Sequence, residues 1–187
     1  MKGTPRTIAL ALLVLGLLIA NWKWAFAHDW WIYHWDPAGN PKVIQVWDFA
    51  VHRAEAEAAI NDWDSHVAAL SFARVTSHPS YGVSVFDGNF GATGWWGLAS
   101  IESTSYGWWD CWWWCHIEHA HARFNTYYGG SSADIQGVLC QEFGHTLGFD
   151  HSNTGDCMGK GYYNNINITG PHNWSDASKY APGGVHP

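Results

Sequence analysis

The segment from Gln141 to His151 reads Gln-Glu-Phe-Gly-His-Thr-Leu-Gly-Phe-Asp-His and constrains this chain more than any other stretch. Gln141 and His145 are four residues apart, so on a helix their side chains project from one face and can bind one metal ion. Glu142 is rotated away from that pair, which suits a proton acceptor better than a ligand. The spacing therefore predicts a metal site on a helix.

The sequence around this segment supports the helix and a turn after it. Ser131 and Ser132 are candidate N-caps, and Asp134 is well placed in the first turn. Gly148 permits a sharp turn through positive φ, which would return His151 as a third ligand. Apolar residues at helical spacing predict the buried face: Ile135, Val138, Leu139, Phe143 and Leu147.

With Cys157-Met158 close behind it, the segment resembles the long zinc-protease signature H-E-x-x-H-x-x-G-x-x-H and its Met-turn, with glutamine in place of the first histidine. It is similar to the metzincin zinc metalloproteases of the matrixin type. Within them, Cys140 to His151 matches a secreted bacterial group with the signature C-Q-E-x-G-H-T-x-G-x-x-H. The likeness covers roughly residues 43–180, with further similar stretches at 54–72, 88–91, 94–99 and 122–128.

This resemblance implies an α+β fold: a metzincin-like (zincin) single domain whose mixed sheet carries a long N-terminal helix and an active-site helix, followed by a Met-turn at Met158. It also implies a secreted endopeptidase that uses Zn²⁺ to cleave protein or peptide substrates. His145 and His151 would hold the ion, and Glu142 would be the catalytic base that activates water.

Gln141 leaves the ligand set open, because an amide oxygen is a weaker zinc donor than imidazole. In the first hypothesis Gln141 binds zinc through its side-chain oxygen. In the second, another histidine completes the site, and in the third no metal binds. The candidate histidines are His116, His119, His121 and His172.

His119 and His121 also suggest a separate structural metal. They would project from one face of a strand, although strand histidines are more often solvated or hydrogen-bonded than metal-bound.

The N-terminus is typical of a secretory leader. Lys2 and Arg6 precede an apolar run, and Ala25-Phe26-Ala27 resembles a cleavage site. We therefore expect a signal peptide at 1–27, a catalytic domain at 28–187, and no membrane span after cleavage. Without the leader, six basic and sixteen acidic residues remain, a formal charge of −10. That balance argues against nucleic acid as a partner.

Four cysteines in an exported chain indicate two disulfides, for which three pairings exist. We favour Cys140–Cys157, which would tie the helix to the Met-turn, and Cys111–Cys115, which would close a short loop. A cysteine zinc site is disfavoured because the C-x-x-C spacing is absent.

Thirteen of fifteen tryptophans remain after the leader, and five of them cluster in the segment 107–115. Exposed aromatic rings mark binding surfaces, so a second hypothesis is a catalytically weak or inactive binding module that engages polysaccharide or protein. A packed aromatic cluster under a loop is the alternative. The tryptophans concerned are Trp108, Trp109, Trp112, Trp113 and Trp114.

Periodicity predicts the remaining elements. A helix is expected over 54–70, with Ala58, Ile60, Trp63, Val67 and Leu70 inward. Strands are expected at 43–50, 71–76, 83–86, 98–102 and 116–125.

Overall fold

The computed structural model describes residues 33–36, 42–67, 70–105, 115–151 and 156–159. The predicted leader, the tryptophan-rich segment 106–114 and the tail from residue 160 lie outside these ranges. The described elements are β1 (Tyr33–His34), β2 (Lys42–Asp48), α1 (Arg53–His66), β3 (Leu70–Arg74), β4 (Gly82–Gly88), β5 (Gly97–Thr104), β6 (Cys115–Asn125), a 3-10 turn (Thr126–Tyr128) and α2 (Ser132–Thr146).

The strands form one mixed sheet in the order β1-β6-β4-β2-β3, and β5 also pairs with β6. Every strand pairing is parallel except that of β5, which runs antiparallel to β6. Within the described residues β5 therefore lies at an edge of the sheet. The expected mixed sheet with two helices is confirmed.

Both helices pack on one face of the sheet and contact each other. On β6, Ala120, Ala122 and Phe124 are fully buried in the shared core. Because side chains alternate along a strand, His119 and His121 project from the opposite face. The sheet thus separates these two histidines from helix α2.

The prediction for the first helix needs correction. Helix α1 ends at His66, where the Val67 N–H closes the last turn on Trp63 O (3.0 Å), and Leu70 begins β3 instead. Ala58 is only half-buried. The buried positions are i, i+3, i+4 and i+7, which form one face of the helix: Ala56, Ala59, Ile60 and Trp63.

The five predicted strands are all present, with ends displaced by at most two residues. The two-residue strand β1 was not predicted, since so short a segment carries no periodic signal. No helix in the described part of the chain is long and apolar enough to span a bilayer.

Candidate metal and catalytic site

Helix α2 begins at a capping box. The Ser131 side chain accepts a hydrogen bond from Asp134 N–H, and the Asp134 carboxylate accepts one from Ser131 N–H (2.8 Å). All five predicted inward residues are buried. The rest of the helix from Gly137 onward is buried too, so the segment 141–145 lies inside the protein rather than on a half-exposed surface.

Two contacts hold the middle of α2 in place. The Trp63 indole N–H donates to the Cys140 carbonyl (2.8 Å), and Cys140 is joined to Cys157 by a disulfide. This is the pairing we favoured from the sequence. Cys115 is also disulfide-bonded, while Cys111 lies outside the described residues.

Met158 packs directly beneath the helix at Gly144. A β-carbon at Gly144 would overlap the Met158 sulfur and the Trp63 ring. Met158 N–H donates to the Asp156 carboxylate (3.0 Å), which fixes the turn. The segment 156–159 thus packs against helix α2 next to the candidate site.

The turn after α2 orients His145. Gly148 has φ +85°, as the sequence predicted, and its N–H donates to the His145 carbonyl (3.0 Å). The His145 ring is fully buried, and its Nδ1 lies 2.8 Å from the Phe149 carbonyl oxygen. Because a carbonyl can only accept, Nδ1 carries the proton and Nε2 keeps its lone pair. That is the form of histidine that ligates a metal.

The same turn brings His151 to His145. The two ring centroids are 4.8 Å apart and the rings meet edge to face. The Asp150 carboxylate lies 3.6 Å from His151 Nδ1, so it favours a proton on that nitrogen and a lone pair on Nε2.

Gln141 is 5 % exposed, and its amide N–H donates to the Gly159 carbonyl (3.3 Å). This hydrogen bond identifies the side-chain atom that faces Gly159 as the amide nitrogen. The amide oxygen is then the atom left to act as a ligand.

Glu142 is buried beneath edge strand β5. Burial raises the pKa of its carboxyl to about 8, against the opposing hydrogen bond from the Ala99 backbone. Its Oε2 atom has no hydrogen-bond partner among the described residues. A β-carbon at Gly97 would stand 2.5 Å from both Glu142 Oε1 and Cγ. The sequence around Glu142 did not predict that β5 covers this residue, because Gly97 lies more than forty residues upstream.

The structure does not bring the other candidate histidines to this site. His119 and His121 lie on the far face of the sheet, and the His116 ring packs against His34 at 4.6 Å. His172 lies outside the described residues. Of the candidates described, His145 and His151 lie together, and Gln141 lies one helical turn before His145.

His119 and His121 instead meet His78, which lies between β3 and β4. One ligand atom from each of the three lies within 4.8 Å of the others. Burial lowers the pKa of His119 to about 4, aided by the neighbouring His121 and His78. Burial also lowers the pKa of His121, against the opposing attraction of Glu102. His78 was not predicted from the sequence, because no local spacing links it to a strand some forty residues away.

The sequence matches no protein-family model and no curated protein. Among solved structures, the chain is similar to high choriolytic enzyme 1, a hatching enzyme zinc-protease from Oryzias latipes (Medaka fish). The identity is 20 %, with 63 % of this chain and 50 % of that chain covered and a TM-score of 0.39. It is also similar to myroilysin, at 20 % identity, 62 % and 52 % coverage and a TM-score of 0.36. The chain thus spans about half the length of each, and its function is inferred from its own site.

Proposed function

We propose that this protein is a zinc-dependent endopeptidase in which Glu142 is the general base. The observation that carries the proposal is the Glu142 carboxyl itself. It is 4 % exposed, and its Oε2 has no hydrogen-bond partner among the described residues. A buried carboxyl oxygen without a hydrogen-bond partner lowers the stability of the folded protein. Such groups are found where the carboxyl takes part in a reaction.

The neighbouring residues fit a zinc ion. His145 Nε2 retains its lone pair because Nδ1 is held by the Phe149 carbonyl. His151 lies beside it, and the Gln141 amide oxygen is the candidate third ligand because the nitrogen is directed to Gly159. Two imidazoles and one neutral oxygen are a weaker set than three histidines, so we expect zinc affinity below that of a three-histidine site. When bound, zinc would polarise a substrate carbonyl, acidify water and favour the ionised form of Glu142.

Edge strand β5 supports an extended peptide as the substrate. Within the described residues its backbone is paired on one side only, with β6. A peptide can add to such an edge through main-chain hydrogen bonds. Ala99 on β5 hydrogen-bonds Glu142, so a peptide on this edge would lie beside the base.

Glu142 would then carry the proton through the reaction. The ionised carboxylate accepts a proton from the attacking water as the new C–O bond forms. It donates that proton to the amide nitrogen as the C–N bond breaks, and the carboxylate is restored. Burial under β5 shields this transfer from bulk water.

The test is Glu142→Gln in the full-length protein, assayed for zinc content and casein cleavage. We expect the variant to keep its zinc and to lose cleavage by about 10²–10⁴-fold. Glu118→Gln on β6 is the matched control and should cleave normally, whereas chelation should abolish cleavage. Cleavage that persists in Glu142→Gln, or a wild-type protein that neither binds zinc nor cleaves casein, would contradict the proposal.

Export follows as part of the same proposal. The Cys140–Cys157 disulfide suits an oxidising compartment, and we expect cleavage of a leader after Ala27. N-terminal sequencing of secreted protein tests this. The binding-module hypothesis concerns tryptophans outside the described residues, and retention on chitin or cellulose tests it.

A further inference from the structure

We propose that His78, His119 and His121 form a second metal site, for a divalent transition metal ion such as zinc, on the face of the sheet opposite the helices. The site joins the segment between β3 and β4 to strand β6. It does not depend on the proposed peptidase function.

The geometry is that of a small chelating group. The ring centroids of His78 and His119 are 4.3 Å apart, and those of His119 and His121 are 4.8 Å apart. Their ligand atoms lie within 4.8 Å of one another. Nitrogens bound to one tetrahedral zinc ion are separated by roughly 3.3 Å, given zinc–nitrogen distances of about 2.0–2.1 Å. Rotation of the exposed His78 side chain, with small shifts of the His119 and His121 rings, would reach that arrangement.

Neighbouring side chains already orient the two strand histidines. His119 Nε2 lies 3.1 Å from the Ser84 hydroxyl, and His121 Nδ1 lies 3.1 Å from the Glu102 carboxylate. Each ring therefore has one nitrogen engaged by the protein, which makes Nδ1 of His119 and Nε2 of His121 the candidate ligand atoms. A carboxylate that holds the outer nitrogen of a histidine is a common partner of metal sites.

Glu102 is itself fixed by Arg123, whose guanidinium donates to the same carboxylate oxygen (2.9 Å). This pair places a permanent positive charge next to His121 Nδ1. Arg123 Nη2 is 3.4 Å from His121 Nδ1, so the carboxylate partly neutralises the arginine on that side.

Aromatic rings hold the cluster from the sides. Trp47 packs edge-on against His78 at 5.7 Å, and Phe86 packs edge-on against His121 at 5.3 Å. Apolar packing of this kind restricts the histidine rotamers and lowers the local dielectric, both of which favour a preformed site.

The donor set selects the class of ion. Three imidazole nitrogens suit zinc, copper, nickel or cobalt, whereas calcium and magnesium require oxygen ligands. His78 is exposed, so a fourth coordination position would face solvent and accept water or a small anion.

The experiment counts zinc bound to the full-length protein after removal of metal and dialysis against defined free zinc. The variants are His78→Ala, which alters an exposed side chain, and His78→Ala/His121→Ala. The matched control is His66→Ala, an exposed histidine at the end of α1. Circular dichroism confirms folding of each, and Glu102→Gln should weaken zinc binding by about 10–100-fold without removing a ligand.

The site is supported if the wild type and His66→Ala each bind two equivalents of zinc and the His78 variants bind one. The site is also supported if the wild type binds one equivalent of zinc and the His78 variants bind none. That result would contradict zinc binding at Gln141, His145 and His151. The inference is overturned if the wild type binds no zinc, or if the folded His78→Ala/His121→Ala protein retains every equivalent that the wild type binds.

Discussion

Gly97 on edge strand β5 lies directly against Glu142 on helix α2. A β-carbon at residue 97 would stand 2.5 Å from the Glu142 carboxyl oxygen, and equally close to Val138. Because Gly97 lies so close, strand β5 limits the positions that the Glu142 carboxyl can take. This strand lies far upstream of Glu142 in the sequence. A β-carbon at this point of the strand would therefore require the Glu142 or Val138 side chain to shift.

Gly97→Ala should therefore lower proteolytic activity without touching a ligand. The methyl group would displace the Glu142 carboxyl, and a misplacement of about 1 Å can cost roughly 10²-fold in rate. We expect kcat/KM for a peptide substrate to fall by that order. Gly88→Ala is the control, because its β-carbon would make only ordinary contact with Phe90 at 3.4 Å. Equal kcat/KM values for the folded Gly97→Ala and wild-type enzymes would refute this.

Gly144→Ala should destabilise the protein although alanine favours helices. In a free helix interior the change gains about 1 kcal/mol. Here the methyl group would overlap Met158 and Trp63, and overpacking of a core costs about 1–3 kcal/mol. Urea unfolding measures the net effect of the helix propensity and the overpacking. A higher urea midpoint in the variant than in the wild type would show that Met158 can shift to make room for the methyl group.

Removal of the Cys140–Cys157 bond should lower the free energy of unfolding by about 3 kcal/mol, the amount expected for closing a loop of about this length. The two cysteines are 17 residues apart in sequence. The change is Cys140→Ala/Cys157→Ala, followed by urea unfolding under oxidising conditions. A loss below about 1 kcal/mol would mean that packing alone holds the Met-turn.

Asp87→Asn should destabilise the protein in a pH-dependent way. Burial of Asp87 acts to raise its pKa, but hydrogen bonds from the Val51 and His52 backbone and from the His52 ring prevail and hold the pKa below 3.8. A carboxyl with a lowered folded-state pKa contributes stability above its unfolded pKa of 3.8, and loses it as pH falls through the folded value.

We expect a difference of about 1–3 kcal/mol between wild type and Asp87→Asn near pH 6, which shrinks below pH 4. Thermal unfolding from pH 2.5 to 7 measures it. A difference that stays constant over this range would show that the ionised carboxylate is not the cause.

The sequence around residue 141 predicted its own local structure well. Ser131 is one of the two expected N-caps, the inward face of α2 is correct, and Gly148 adopts the expected positive φ. These features depend on residues within one or two turns of each other, so local spacing contains the information. The first helix was less well predicted, because its end and its buried face depend on how Trp63 meets α2.

By itself, then, the sequence determined helix α2, the turn that brings His151 to His145, and the strand alternation that puts His119 and His121 on one face. Only the tertiary structure decided that Gly97 covers Glu142, that Gln141 is directed to Gly159, and that His78 completes a second cluster. These contacts join segments far apart in the chain. They are set by strand register and by the packing of helices on the sheet, which no short stretch of sequence specifies.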